Sequence, residues 1–182
     1  MNNTSLLDAI NQIDALDSLN HKDKNCLRLL TEEMFSMTNS LLKEVESSFE
    51  VKRNGNDFEL CLSAKANISK DNQEKFVSLS SKRENISQKT IKGKIISVFE
   101  DFIYAYDDLP PGVSPDICMP SDHMYGYTAS WSMLAYMNAV TPQEQEEAWD
   151  GMEKSIIANF ADDIIIGARH KQVQMIVKKS FK

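Results

Sequence analysis

The sequence predicts an α+β fold, a two-layer sandwich in which helices cover one face of a mixed or antiparallel sheet. Two hairpins would supply the sheet, at residues 49–63 and 162–179. Apolar and polar side chains alternate in both arms of the first hairpin and in the second arm of the other. A period of two is typical of half-buried strands. Outside the hairpins the apolar residues recur at every third or fourth position, which predicts amphipathic helices. Hairpins separated by helices favour the α+β class.

The composition of the chain indicates what class of protein it is and which partners it lacks. The chain has 182 residues, a net charge of −7 and 42% hydrophobic residues, as expected for one soluble domain. The acidic balance argues against general nucleic-acid binding, which requires basic surface opposite the phosphates. No stretch reaches the roughly 18 apolar residues of a membrane span, and residues 1–14 lack the basic start and apolar run of a signal peptide. We therefore expect a cytoplasmic protein with no nucleic-acid or membrane partner.

The cysteines and histidines predict no metal centre. The three cysteines lie far apart and form no C-x-x-C pair, so we expect reduced thiols. Cys118 lies near Asp116, Asp122 and His123, but this cluster lacks the tight repeated spacing of a zinc site.

Two helices are predicted before the first hairpin. The apolar face of the first consists of Leu6, Ile10, Ile13 and Leu16. We interpret residues 1–20 as a helical extension of a single domain, residues 21–182, and the apolar face fits either packing on that domain or a homodimer contact. A longer helix is predicted over residues 22–48, with Asp23 as its N-cap and an apolar stripe that continues to Val45.

The turn of the first hairpin is specified by its sequence. Asn54-Gly55 lies between the two alternating stretches and suits the positive φ angles of a tight turn. In the second hairpin, Val173, Met175 and Val177 alternate with Gln172, Gln174 and Ile176. The turn is predicted at residues 168–171.

The middle of the chain predicts further helices and one irregular insertion. Residues 89–106 have helical apolar spacing. Residues 107–127 contain four of the five prolines, which forbid a continuous helix, and insertions of this length are often functional. Residues 129–140 predict a helix. Its candidate core positions are Trp131, Leu134, Ala135 and Met137.

A last helix is predicted over residues 141–160. Thr141 can cap it, and Pro142 suits its first turn. The predicted buried stripe consists of Trp149, Met152, Ile156, Ile157 and Phe160.

The C-terminal stretch at residues 150–181 contains a glycine that opens a helix, Gly151, and an Ala161-Asp162 pair that ends it before the final hairpin. This stretch resembles the tail of the histidine-kinase-type (GHKL) ATPase fold, and is most similar to its anti-sigma-factor serine-kinase branch. The helix LRLLTEEMFSMTNSLL resembles the N-box helix of that family, and the order of elements is similar over residues 25–181. The resemblance implies a Bergerat-like domain.

The resemblance also implies an ATP pocket. Glu33 stands where the family has the carboxylate that orients the attacking water or hydroxyl. Met37 stands where an asparagine would bind magnesium, and a thioether is no magnesium ligand. Lys65 lies about where an aspartate would receive the adenine amino group. Gly126 and Gly151 are the glycines available for a phosphate lid.

Each of these residues also has a structural interpretation. Glu33 and its neighbour Glu32 are also typical of a solvated helix face or a salt-bridge pair. Gly126 and Gly151 would then serve a turn and a close packing contact.

Three aromatic residues are candidates for partner binding, namely Tyr125, Tyr127 and Trp131. The segment that contains them, Y-G-Y followed by W-S, is similar to one in uncharacterised bacterial proteins predicted to have this fold. The alternative is that these side chains pack in the core or the lid.

Three hypotheses about function follow from these patterns. In the first, the chain is a degenerate bacterial regulatory module that binds a protein partner, through residues 107–127, and its nucleotide binding is lost or vestigial. In the second, it is an active ATP- and magnesium-dependent protein serine kinase of the anti-sigma-factor type that uses Glu33. In the third, it is a structural or small-ligand-binding domain.

Overall fold

The computed structural model describes residues 4–17, 19–41, 45–66, 93–98, 129–141, 155–169 and 172–182. The helices are α1 (Leu6–Asp14), α2 (His21–Leu41), α3 (Met133–Ala139) and α4 (Ile156–Phe160), with a further helical turn at 93–98. The strands are β1 (Val45–Asn54), β2 (Asp57–Ala66), β3 (Ala129–Ser132), β4 (Asp163–Arg169) and β5 (Gln172–Ser180).

The five strands form one sheet in the order β1-β2-β5-β4-β3. Every strand pair described is antiparallel. The two predicted hairpins, β1–β2 and β4–β5, are confirmed, and they join each other through β2 and β5. Leu60 of β2 faces Val177 of β5, which in turn faces Ile164 of β4. The α+β class is therefore confirmed.

One face of the sheet and the helices enclose the core. From the sheet it takes Phe58, Leu60, Leu62, Ile164, Ile166, Val173, Met175 and Val177. From α2 it takes Leu27, Leu30, Met34 and Met37. Of the intervening strand residues, Glu59, Ser63 and Gln174 are more exposed, whereas Cys61 and Ile165 are buried. The alternation is that of a sheet packed mainly on one face.

The N-terminal helix α1 belongs to the same core. Ala9 and Ile13 are fully buried against it, and Ser5 caps the helix in a reciprocal capping box with Asp8. The apolar face that also suggested a homodimer is thus partly used within one chain, whereas Leu6 of that face is 39% exposed.

The first hairpin turns at Gly55 and Asn56, one position later than the predicted Asn54-Gly55 pair. Asn54 is the last residue of β1 and pairs with Asp57. Gly55 carries the positive φ of 63°, which glycine adopts without steric penalty.

The prediction for α2 was wrong at both ends. The helix begins at His21, and its cap is Asn20, whose Oδ1 accepts from the Asp23 N–H at 2.9 Å. Asp23 is instead the first-turn acid that accepts from the Asn20 side chain at 2.7 Å. The predicted stripe to Val45 is also wrong, because Val45 opens β1 and pairs with Ala66. Cross-strand pairing has overridden the local helical spacing.

The predicted helix over residues 129–140 is a strand followed by a helix. Residues 129–132 form β3, which pairs with β4, and Ser132 is the N-cap of α3. Because α3 starts only at Met133, the helix face that is buried differs from the predicted one. Met133 is buried, whereas Leu134, predicted in the core, is 52% exposed. Trp131 is buried as predicted.

The described end of the helix predicted over residues 141–160 is a separate short helix. Ser155 has extended backbone angles and caps α4. Ile157 is buried, whereas Ile156 and Phe160 of the predicted stripe are exposed. Trp149 and Met152 lie outside the described residues.

Within the part of the chain that the structure describes, no helix combines the length and apolar character needed to cross a membrane.

Candidate functional site

Glu33 is a buried carboxylate on α2, with 8% of its surface exposed. Its Oε2 accepts a hydrogen bond from the Ile157 N–H at 2.5 Å, and its Oε1 accepts one from the Ser155 hydroxyl at 3.3 Å. A solvated helix face therefore does not describe this position. The carboxylate connects α2 to the first turn of α4.

The first turn of α4 receives two capping groups. Ser155 is the N-cap and its Oγ accepts from the Ala158 N–H at 3.3 Å. Glu33 accepts from the Ile157 N–H, one of the amides that a helix leaves without an internal partner. A negative charge is also favourable at the positive end of the helix dipole. The contact therefore explains why an acid is buried here.

Met37, one turn after Glu33, lies in the core and is 2% exposed. It shares the apolar cluster with Leu30 and Met34. The position that would hold a magnesium-binding asparagine in the resembled family is thus a packing position in this chain.

A second carboxylate, which the sequence analysis missed, caps α3. Oδ1 of Asp163 accepts from the Leu134 N–H at 3.0 Å and from its neighbour Ile164 N–H at 2.8 Å. The Ser132 hydroxyl donates to the same carboxylate at 3.0 Å and accepts from the Ala135 N–H at 3.1 Å. Both short helices are therefore capped by a serine together with an acid from another element.

The only local signal for this arrangement is a serine at each helix start. The acids could not have been assigned from the sequence, because Glu33 lies 122 residues before Ser155 and Asp163 lies 31 residues after Ser132. The same bonds give these two serine–acid pairs a structural role. Ser132 and Ser155 both accept a backbone N–H, as N-caps do.

The remaining predicted site residues are not brought together by the described structure. Lys65 is exposed near the end of β2, where it pairs with Glu46 and Gln172. Trp131 is buried, and its ring centroid lies 5.9 Å from that of Tyr136 in a tilted arrangement. Tyr125, Gly126, Tyr127 and Gly151 lie outside the described residues, as does the insertion 107–127.

No family model, curated protein or solved structure matches this chain. Function must therefore be argued from the geometry of the chain itself.

A cleft of about 510 Å³ lies at the end of the sheet, beside the β1–β2 turn and the last residues of β5. Its lining includes neither Glu33, Met37, Lys65 nor Trp131. Charges of both signs line it and are largely paired, as in Lys178–Glu59 at 3.5 Å and Lys179–Asp162 at 3.1 Å. Such a surface offers no single charge to select a ligand.

Among the residues that the structure describes, no group of three or more His, Cys, Asp and Glu side chains is placed to hold a metal ion. Burial raises the pKa of the Cys61 thiol to about 11, which keeps it protonated and poorly nucleophilic at neutral pH.

Proposed function

We propose that this chain is a regulatory module, related in fold to the histidine-kinase-type ATPases, that acts by binding a protein partner and has lost nucleotide chemistry at the N-box helix. The observation that carries the proposal is the position of Glu33. A general base must reach the water or hydroxyl that it activates. Here both carboxylate oxygens accept hydrogen bonds from the start of α4.

The second support is the chemistry one turn further along α2. Magnesium binds oxygen ligands, whereas Met37 offers a thioether inside the apolar core. A pocket that binds ATP with magnesium would need both positions. The relation to the Bergerat-like fold rests on the order of elements and on helices packed against one face of a sheet.

Calorimetric titration with ATP and ADP, with and without magnesium, tests the loss of nucleotide binding. We expect no binding heat up to millimolar nucleotide. Magnesium-dependent binding with a micromolar constant, about −8 kcal/mol, would contradict the proposal and favour the serine-kinase alternative.

A Glu33→Gln variant sharpens this test, with Glu32→Gln on the exposed side of α2 as its control. If phosphoryl transfer or hydrolysis is detected and Glu33→Gln alone abolishes it at unchanged melting temperature, Glu33 is catalytic and the proposal fails. We expect no phosphoryl transfer or hydrolysis, and no difference in activity between the Glu33→Gln and Glu32→Gln variants.

The partner is sought separately, with the full chain as bait and crosslinking before capture. The prediction that residues 107–127 contact the partner is tested by charge-reversing substitutions within that segment. Absence of any specific partner together with measurable hydrolysis would reject the regulatory role.

A further inference from the structure

Strand β1 is an edge strand of the sheet. In every second residue of β1 the backbone N–H and C=O groups point away from β2. The two-residue turn pairs Asn54 with Asp57, and in such a hairpin the closing pair is hydrogen-bonded. Bonded and non-bonded pairs then alternate along an antiparallel ladder. The N–H and C=O groups of Ser47, Phe49, Val51 and Arg53 therefore point outward. An edge of this length is a template for pairing with another chain.

The N-terminal segment, residues 4–17, covers part of that edge. The Thr4 N–H donates to the Ser47 carbonyl at 2.8 Å, and the Ser47 hydroxyl donates back to the Thr4 carbonyl at 3.1 Å. The Gln12 side-chain amide donates to the Phe49 carbonyl at 3.3 Å. Two successive outward carbonyls are thus occupied by one short segment.

The cover stops short of Val51. Within the described part of the chain, no hydrogen bond is made to the outward N–H and C=O of Val51. Beyond it, the Arg53 guanidinium donates to the Asp17 carbonyl at 3.0 Å, which ties down the other end of the segment. Residues 4–17 therefore contact the β1 edge on both sides of Val51, whose own outward N–H and C=O remain unpaired among the described residues.

We propose that the edge contacts of Thr4 and Gln12 form a strap that limits self-pairing, and that a second copy of this chain occupies the β1 edge when these contacts are released, while α1 stays in the core. The two β1 strands would then pair antiparallel about a two-fold axis through Val51, which extends the sheet across both copies. A two-fold axis requires the interface to complement itself. The register centred on Val51 meets that requirement for the charges on β1.

The register centred on Val51 places Glu50 opposite Lys52 of the other copy, twice. These two side chains lie on the same face of β1, where they already approach each other at 3.8 Å within one chain. A register centred on Glu50 would instead oppose the two Glu50 side chains, and like charges directly opposite are destabilising. In the register about Val51, its free N–H donates to the C=O of Val51 in the second copy, and its C=O accepts from the N–H there. This proposal does not depend on the proposed function.

The test uses the full chain and sedimentation velocity over a range of concentrations. The variant Thr4→Pro/Gln12→Ala removes the backbone donor to Ser47 and the side-chain donor to Phe49 without touching the buried residues Ala9 and Ile13. We expect it to dimerise at least tenfold more strongly than the natural sequence. Equal self-association of the two proteins would overturn the proposal.

Two further variants, made in the released background, test the geometry. Val51→Pro removes the outward N–H, which the β1–β2 ladder does not use, and we expect a return to monomer. Glu50→Lys should weaken the dimer at least tenfold, and Glu50→Lys/Lys52→Glu should restore it. A dimer that tolerates Val51→Pro, or that the double charge exchange fails to restore, would show that the strands do not pair in this way.

Discussion

Thr38 carries a buried hydroxyl on the core face of α2. It is 2% exposed, and its Oγ1 has no hydrogen-bond partner. On the same face, the Thr31 hydroxyl donates to the Leu27 carbonyl at 2.8 Å. The same residue type on one helix face is therefore satisfied at one position and unsatisfied at the other. A buried polar group without a partner carries the full cost of its desolvation.

We predict that Thr38→Val stabilises the protein by about 1 kcal/mol, because valine has the same shape and removes the unpaired hydroxyl. Thr31→Val is the matched control and should gain nothing, since it loses a made hydrogen bond. Thermal unfolding measures both, with an expected rise of about 2–4 °C for the first. A lower melting temperature for Thr38→Val would indicate that the hydroxyl has a partner in solution.

The reactivity of the Cys61 thiol is expected to depend on pH, because only the thiolate is nucleophilic. Its pKa is raised, chiefly by burial, to about 11, so at pH 8 only about one molecule in a thousand carries the thiolate. We expect iodoacetamide to modify Cys61 in the native protein far more slowly than the half-buried Cys26, and the difference to vanish in denaturant. Peptide mapping by mass spectrometry gives both rates. Equal native rates would mean that the strand face around Cys61 is open.

Between elements, the contact from Glu33 to α4 has the largest expected energetic effect. Glu33→Ala removes a charged acceptor from the Ile157 N–H and the Ser155 hydroxyl, and hydrogen bonds to charged groups contribute about 1.5–3 kcal/mol each. We predict a loss of at least about 3 kcal/mol in the free energy of unfolding, measured by urea denaturation. Glu32→Ala should change it by less than about 0.5 kcal/mol. A near-neutral Glu33→Ala would contradict a capping role.

The β1–β2 hairpin depends on the backbone of Gly55, whose φ is 63°. Gly55→Ala should destabilise the protein by about 1 kcal/mol, because an L-residue resists the left-handed region. Gly55→Asn should cost less, since asparagine tolerates that region. Circular dichroism during thermal melting measures the two variants, and an alanine variant as stable as the asparagine one would refute the strain argument.

The elements differ in how far the sequence predicted them. The hairpins followed from alternation and an Asn-Gly signal, which are local. Strand β3 was missed because its four residues directly precede α3, and Trp131 also fits the helical spacing of that region. It becomes a strand only by pairing with β4, for example Trp131 with Ile166. The capping of α4 by Glu33 could not be predicted from the sequence either, because it joins residues far apart in the chain.

For the whole molecule, the sharing of one core by α1 and the sheet predicts a single unfolding transition. Ile13→Ala should lower the free energy of unfolding of the entire domain by about 2–4 kcal/mol, because Ile13 is fully buried in that core. Leu7→Ala is the control, since Leu7 is 69% exposed on the same helix. Near- and far-ultraviolet circular dichroism should report coincident curves. An Ile13→Ala variant that leaves the main transition in place would make residues 1–20 an independent extension.

The strand order has a consequence for how the protein is made. β5 lies in the middle of the sheet, between β2 and β4, yet it follows both in the chain. A ribosome therefore releases the β1–β2 hairpin long before β5 is synthesised. One edge of β2 lacks its partner strand β5 during more than half of synthesis. Nascent chains in that state would be clients for chaperones that shield exposed strands. Stalling translation before residue 172 should yield a chain that such chaperones retain, and codons that slow elongation after β2 should lower the yield of folded protein.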